Sequence, residues 1–148
     1  MVVPPLVVDG YNVIHAWEDL RALLAVSLEL ARDRLVERLA VFSQVTETEV
    51  LVIFDAQRTA ASRASEAVRD GVRVVFTRRG HTADHAIERL AYQAMQRREP
   101  MLVATSDRFH RAMLRGMGAA VIDARELGRQ VAEAELELTR RLRRYSKT

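Results

Sequence analysis

The sequence predicts a doubly wound α/β fold, with a mainly parallel sheet of about five strands flanked by helices. Two observations carry this. Short continuous apolar runs recur along the chain, as expected of parallel strands covered on both faces. Between them lie stretches with apolar residues three or four apart, the spacing that gives a helix one buried stripe.

The elements follow in order. Leu6-Val7-Val8 is the first strand and runs into Asp9-Gly10. Trp17 to Val26 reads as a short helix. Leu28 to Val45 is a long one, with Leu28, Ala31, Leu35, Leu39 and Phe42 along one side. Val50 to Phe54 is the second strand, before Asp55. Arg58 to Asp70 is rich in Ala, Ser and Arg and reads as a mobile loop or a surface helix. Val72 to Phe76 is the third strand. Ala83, Ile87, Leu90, Ala91 and Ala94 mark a helix that stops before Pro100, because proline disfavours helical geometry at Glu99. Met101 to Ala104 is the fourth strand, before Thr105-Ser106-Asp107, and Ala120-Val121-Ile122 is a weaker fifth. The last helix begins near Asp123, with Leu127, Val131, Ala134, Leu138 and Leu142 on its buried side and a basic end at 140–148. Without a repeat or linker, residues 1–148 read as a single domain.

A chain of 148 residues is long enough to bury about 70% of the surface its unfolded form exposes. Cysteine is absent, which excludes disulfides, zinc-thiolate sites and thiol nucleophiles and suits a reducing cytoplasm. The N-terminal Met1-Val2-Val3-Pro4-Pro5 lacks the basic start of a signal peptide, and no apolar run approaches the roughly 18 residues of a membrane span. A soluble cytoplasmic protein with no membrane partner is expected. The formal charge is +3, and Lys147 is the sole lysine. Arginine preference fits genomic base composition at least as well as it fits phosphate binding.

Four aspartates carry the functional expectation. In open parallel sheets, ligands bind beyond the carboxyl ends of the strands. Asp9, Asp55 and Asp107 follow strands, and Asp84 opens a helix behind a Thr82 cap, where the helix dipole favours an acid. Carboxylates converging in one cleft repel one another unless a cation neutralises them, and hard oxygen ligands select Mg2+ or Mn2+. Such ions serve phosphodiester displacement. A single aspartate in such a place also commonly caps a helix or makes a turn, and Asp123, with Glu126 three residues on, reads as that structural case.

Asp9-Gly10-Tyr11-Asn12-Val13-Ile14, Phe54-Asp55-Ala56, Phe76-Thr77 with Thr82-Ala83-Asp84, and Ala104-Thr105-Ser106-Asp107 together resemble the YacP-like branch of the NYN-domain family. The resemblance runs from residue 6 to about residue 135 and is specific in order and spacing. It implies a PIN-like fold and a bacterial Mg2+- or Mn2+-dependent endoribonuclease, with RNA as substrate, mRNA cut at the ribosome in at least some members. It also implies that Asp9, Asp84 and Asp107 bind metal, with Asp55 a fourth catalytic acid, and that Asn12 belongs to the name-giving motif. The Asn12 amide can hold Asp9 or touch a phosphate. Ser106 can orient Asp107, donate to substrate or, like Thr105, cap a helix. Glu88 lies one turn after Asp84 and is read as its outer partner or as solvent-facing. Gly116 to Asp123 matches nothing chemical in the family.

Arg78 and Arg79 precede Asp84 in a loop and read as a phosphate clamp or a solvated turn, and Arg108 and Arg111 beside Asp107 read similarly. The run Arg140, Arg141, Arg143, Arg144 and Lys147 fits contact with RNA or ribosome no better than a frayed end. His81 and His85 are four apart but lack the glutamate of helical zinc motifs, and His15 and His110 have no evident partner. Trp17 reads as packing, whereas Tyr11 is a conceivable base-stacking residue. Two rivals remain. A dehalogenase- or receiver-type phosphoryl-transfer domain is disfavoured, because Asp9 is followed by Gly10-Tyr11 rather than by a second aspartate two residues on, and the one lysine is at the tail. The other is a catalytically idle RNA- or ribosome-binding module of the same fold.

Overall fold

The computed structural model describes residues 3–55 and 65–146. Its elements in chain order are β1 (Leu6–Asp9), α1 (Gly10–Ala16), α2 (Glu18–Leu24), α3 (Leu28–Thr46), β2 (Val50–Phe54), β3 (Ser65–Arg69), β4 (Val72–Phe76), α4 (Ala83–Arg97), β5 (Leu102–Ala104), α5 (Arg108–Gly116), β6 (Ala120–Ile122) and α6 (Ala124–Ser146). The strands form one sheet in the order β3-β4-β2-β1-β5-β6, parallel throughout except for the β3–β4 pair.

Alternation along the strands explains the layering. Leu6, Val8, Val50, Val52, Phe54, Val72 and Val74 face a core shared with Val13 and Ile14 of α1, Leu20 of α2, Leu35 and Leu39 of α3, and Leu127 and Val131 of α6. Val7, Ile53 and Val103 point the other way, onto Ala83, Ile87 and Ala91 of α4 and Leu114 of α5. Both faces are covered, so the fold is the doubly wound α/β arrangement. β1 lies at its centre, between β2 and β5. The connections leave β1 and β5 in opposite directions, which makes the gap between their carboxyl ends the topological switch point where such sheets bind ligands.

Three local expectations are corrected. Residues 65–69, read as loop or surface helix, form the antiparallel edge strand β3, while the remainder of the 58–70 stretch down to residue 58 lies outside the described residues. Asp70 and Gly71 make its two-residue connection to β4, both with positive φ (52° and 86°), the conformation of a tight hairpin turn. Leu142 is 61% exposed, because α6 runs on past the layers that bury Leu127, Val131 and Ala134. Tyr11 is buried at 7% exposure, its ring 5.1 Å from that of Phe54, so it packs and is not presented to a base.

Trp17 packs as expected. Its Nε1 donates to the Ala124 carbonyl at 2.7 Å, and Arg38 sits 4.7 Å over its ring while pairing with Glu135 at 3.0 Å. This joins the α1–α2 junction to α3 and α6. Among the described residues, no helix is long and apolar enough to cross a membrane.

Candidate metal centre

β1 delivers Asp9 to the switch point. Gly10 follows because the chain must enter α1 against the end of β2: a Cβ there would collide with the Phe54 ring and approach the Ile53 carbonyl oxygen to 3.0 Å. Asp9 is therefore held deep, at 9% exposure. α4 brings Asp84 in its first turn, behind Thr82, whose Oγ1 accepts the His85 N–H at 3.1 Å. The cap and the helix-dipole position expected from sequence are both present.

The third member comes from α5. His110 is buried at 2%, and its Nδ1 lies 3.5 Å from Asp84 Oδ1 and its Nε2 3.6 Å from Glu88 Oε1. Neither ring nitrogen makes a hydrogen bond. Among the described residues, one ligand atom each from Asp9, Asp84 and His110 forms a group within 4.8 Å of one another. Two carboxylates and an orphaned imidazole are a donor set that suits a divalent cation. Burial, and after it the Asp84 charge, push the Asp9 carboxyl up from 3.8 to about 6; His110, the Asn12 backbone amide and the Thr105 hydroxyl act in the opposite direction.

The other expected residues surround this group. Asp107 is exposed at the N-cap of α5, and its Oδ1 accepts the His110 N–H at 3.0 Å, so it positions the turn that carries the imidazole; it is not in the 4.8 Å group. Asp55 is half-buried just beyond β2 and is likewise outside that group. Asn12 Oδ1 accepts the Ser106 N–H at 2.8 Å, which ties the start of α1 to the loop after β5. Thr105 is fully buried, with its hydroxyl 3.4 Å from Asp9 Oδ2, while Ser106 Oγ accepts the Ala124 N–H at 3.0 Å and so caps α6. Asp123 is a cap as well, accepting the Glu126 N–H at 2.8 Å.

The arginines divide. Arg78 Nε donates to His81 Nε2 at 2.7 Å, within a turn closed by His81 N–H on the Arg78 carbonyl at 3.0 Å and made possible by Gly80 at φ +85°. Arg79 and Arg108 are exposed, whereas Arg111 is half-buried with its Nε shielded and without a hydrogen bond. In the tail, Arg140, Arg141 and Arg144 all reach Glu137, at 3.7, 3.3 and 3.4 Å. His110, read from the sequence as having no evident partner, instead faces Asp84 and Glu88, and Phe109 escaped the sequence reading. Phe109, 78% exposed two residues beyond Asp107, is the aromatic that this edge presents to solvent, where Tyr11 is not.

Residues 6–148 match the family model described as the YacP-like NYN domain. The chain belongs to that family. It is 39% identical over 141 residues to the uncharacterized protein YacP of Bacillus subtilis, covering 95% of this chain and 82% of that one. A crystal structure of Rae1 (YacP) from the same organism is 37% identical and superposes with a TM-score of 0.85, covering 98% of this chain and 83% of that one. A single-substitution variant of Rae1 gives 0.84 at the same identity, covering 98% and 85%. The YacP-like NYN domain is a nuclease-like fold, and here the acids and His110 form its candidate metal site.

Proposed function

We propose that this YacP-like NYN domain is a metal-dependent endoribonuclease that hydrolyses RNA phosphodiester bonds, with mRNA at the ribosome as its cytoplasmic substrate. The observation that carries this reading is the gathering of buried Asp9 and His110 with the half-exposed Asp84 at the switch point of the sheet. An Asp9 carboxyl raised to about 6 by burial and by a second carboxylate leaves negative charge that a cation would relieve.

Asp9, Asp84 and His110 would hold the ion, Mg2+ or Mn2+, with Asp107 and Asp55 at the rim as further catalytic acids. Asp107 also holds the first turn of α5, and so His110, in place. An ion held by these residues would supply the positive charge that lowers the pKa of a water and offsets charge developing on the phosphate. Asn12, Thr105 and Ser106 keep the β1 and β5 loops in register beneath it. Exposed Arg79 and Arg108 supply positive charge for backbone phosphates without reading sequence. Phosphates held this way would present the scissile bond to the carboxylate end of the sheet.

Purified protein with Mg2+ or Mn2+ should cleave RNA, and the assay should include translating ribosomes as well as free RNA. Asp9→Asn should fold and fail to cut under both conditions. Cleavage by this variant at the wild-type rate would reject the proposed centre.

A further inference from the structure

We propose that Glu88 and His110 form a buttressed nitrogen ligand that makes this centre prefer Mn2+ and other imidazole-accepting divalent ions over Mg2+. The inference rests on the metal centre proposed above and adds the identity of the ion that fits it.

His110 is the deciding residue. Its side chain is 3% exposed, and both ring nitrogens are buried without a hydrogen bond. Buried polar atoms in folded proteins are almost always satisfied, so an orphaned imidazole facing carboxylates needs an explanation, and a bound ion is one of the recognised ones. The two nitrogens face different groups. Nδ1 points to Asp84 at 3.5 Å and Nε2 to Glu88 at 3.6 Å, and one ring nitrogen lies within 4.8 Å of ligand oxygens of both Asp84 and Asp9.

That division matches how proteins fix a histidine ligand. One nitrogen donates its proton to a carboxylate, which sets the tautomer and ring orientation and leaves the other nitrogen's lone pair for the metal. Glu88 is placed for the first role. It follows Asp84 by one turn on α4, so the two carboxylates line one helix face, the first toward the ion and the second behind the imidazole. Its side chain is 25% exposed, more enclosed than that of Asp84 at 49%.

A nitrogen donor changes selectivity. Mg2+ favours oxygen ligands and gives up its water reluctantly, whereas imidazole suits the first-row transition ions, among which Mn2+ also accepts carboxylates and water in octahedral geometry. With His110 in place of a third carboxylate, the pocket carries less negative charge for Mg2+ and a donor that Mn2+ uses better.

The test uses the whole chain stripped of metal, titrated with Mn2+ alone and then with Mg2+ as competitor, with the bound Mn2+ examined by electron spin-echo spectroscopy for coupling to 14N. The expected result is one nitrogen coupled to Mn2+ and an affinity for Mn2+ on the order of tenfold or more above that for Mg2+. His110→Glu should lose the nitrogen coupling and narrow the Mn2+/Mg2+ ratio. Glu88→Gln should keep the coupling while weakening Mn2+ binding by about 10–100-fold; this variant and the wild-type spectrum decide the matter even if His110→Glu does not fold. Mg2+ competing equally overturns this inference and leaves the metal centre standing, whereas Mn2+ bound without nitrogen coupling overturns this inference together with His110's place among the ligands and leaves only a carboxylate centre at Asp9 and Asp84. Failure of both ions to bind overturns both.

Discussion

The side-chain oxygen of Asn12 accepts a hydrogen bond from the Ser106 backbone N–H at 2.8 Å, joining residues 94 apart in sequence. The same Ser106 offers its hydroxyl oxygen to the first amide of α6, and neighbouring Thr105 reaches Asp9. A polar latch thus closes over the switch point, between the strand that supplies Asp9 and the helix that supplies His110.

Loss of the latch should hurt function more than stability. The Asn12 bond is exposed, so Asn12→Ala should cost only about 1 kcal/mol in urea unfolding. Cleavage should drop by an order of magnitude or more, because small displacements of reacting groups cost on the order of a hundredfold. Parallel losses of stability and activity, measured on one preparation, would mean that the bond is merely structural.

Asp9 sets the pH dependence of the metal-free protein. Its carboxyl has an unfolded value of 3.8 and a folded value of about 6. Between these the folded state holds more protons than the unfolded one, so stability falls as pH rises through roughly 4 to 6 and stays lower above it. The effect is on the order of 3 kcal/mol. In chelator, Asp9→Asn should therefore be more stable than wild type at pH 8 and should lose this slope. Added Mn2+ should raise the wild-type Tm at pH 8, much less at pH 5 where it competes with the proton, and hardly at all in Asp9→Asn. A wild-type protein equally stable at both pH values in chelator would contradict the assignment.

How much of this the sequence disclosed depended on burial. The five parallel strands are apolar runs and were legible as such. β3 was not, since all five of its residues are exposed at the sheet edge, where charges such as Glu66 and Arg69 protect against unwanted pairing. Asp70-Gly71 was the available signal for its hairpin. α1 has seven residues and begins directly at the end of β1, too short for a helical period to emerge. Asp84 and Asp9 could be placed from strand ends and a helix cap. His110 could not, because its neighbours Asp84 and Glu88 come to it through packing of α4 on α5, which no local spacing encodes.

Gly10 offers a test of how closely the site depends on backbone approach. Gly10→Ala would drive a methyl group into the Phe54 ring and toward the Ile53 carbonyl. Overpacking of this kind costs about 1–3 kcal/mol. Phe54→Leu should relieve part of it, so the double variant should be more stable than the two separate losses predict. Strict additivity in denaturant unfolding would show that Gly10 is needed for another reason.

Trp17 connects the distant side of the domain to the same loop. Its indole holds the Ala124 carbonyl, and the Ala124 amide is held by Ser106, so the first residue of α6 is gripped from both sides. Trp17→Phe removes the indole bond and part of the packing beneath Arg38, and should cost about 2 kcal/mol. Because Ser106 also meets Asn12, the slack at Ala124 should reach the latch and reduce cleavage several-fold. Mn2+ affinity should stay at the wild-type value, since Asp9, Asp84 and His110 are carried by β1, α4 and α5. A fall in metal affinity to match the fall in cleavage would show that α6, and not the latch alone, sets the geometry of the ligands.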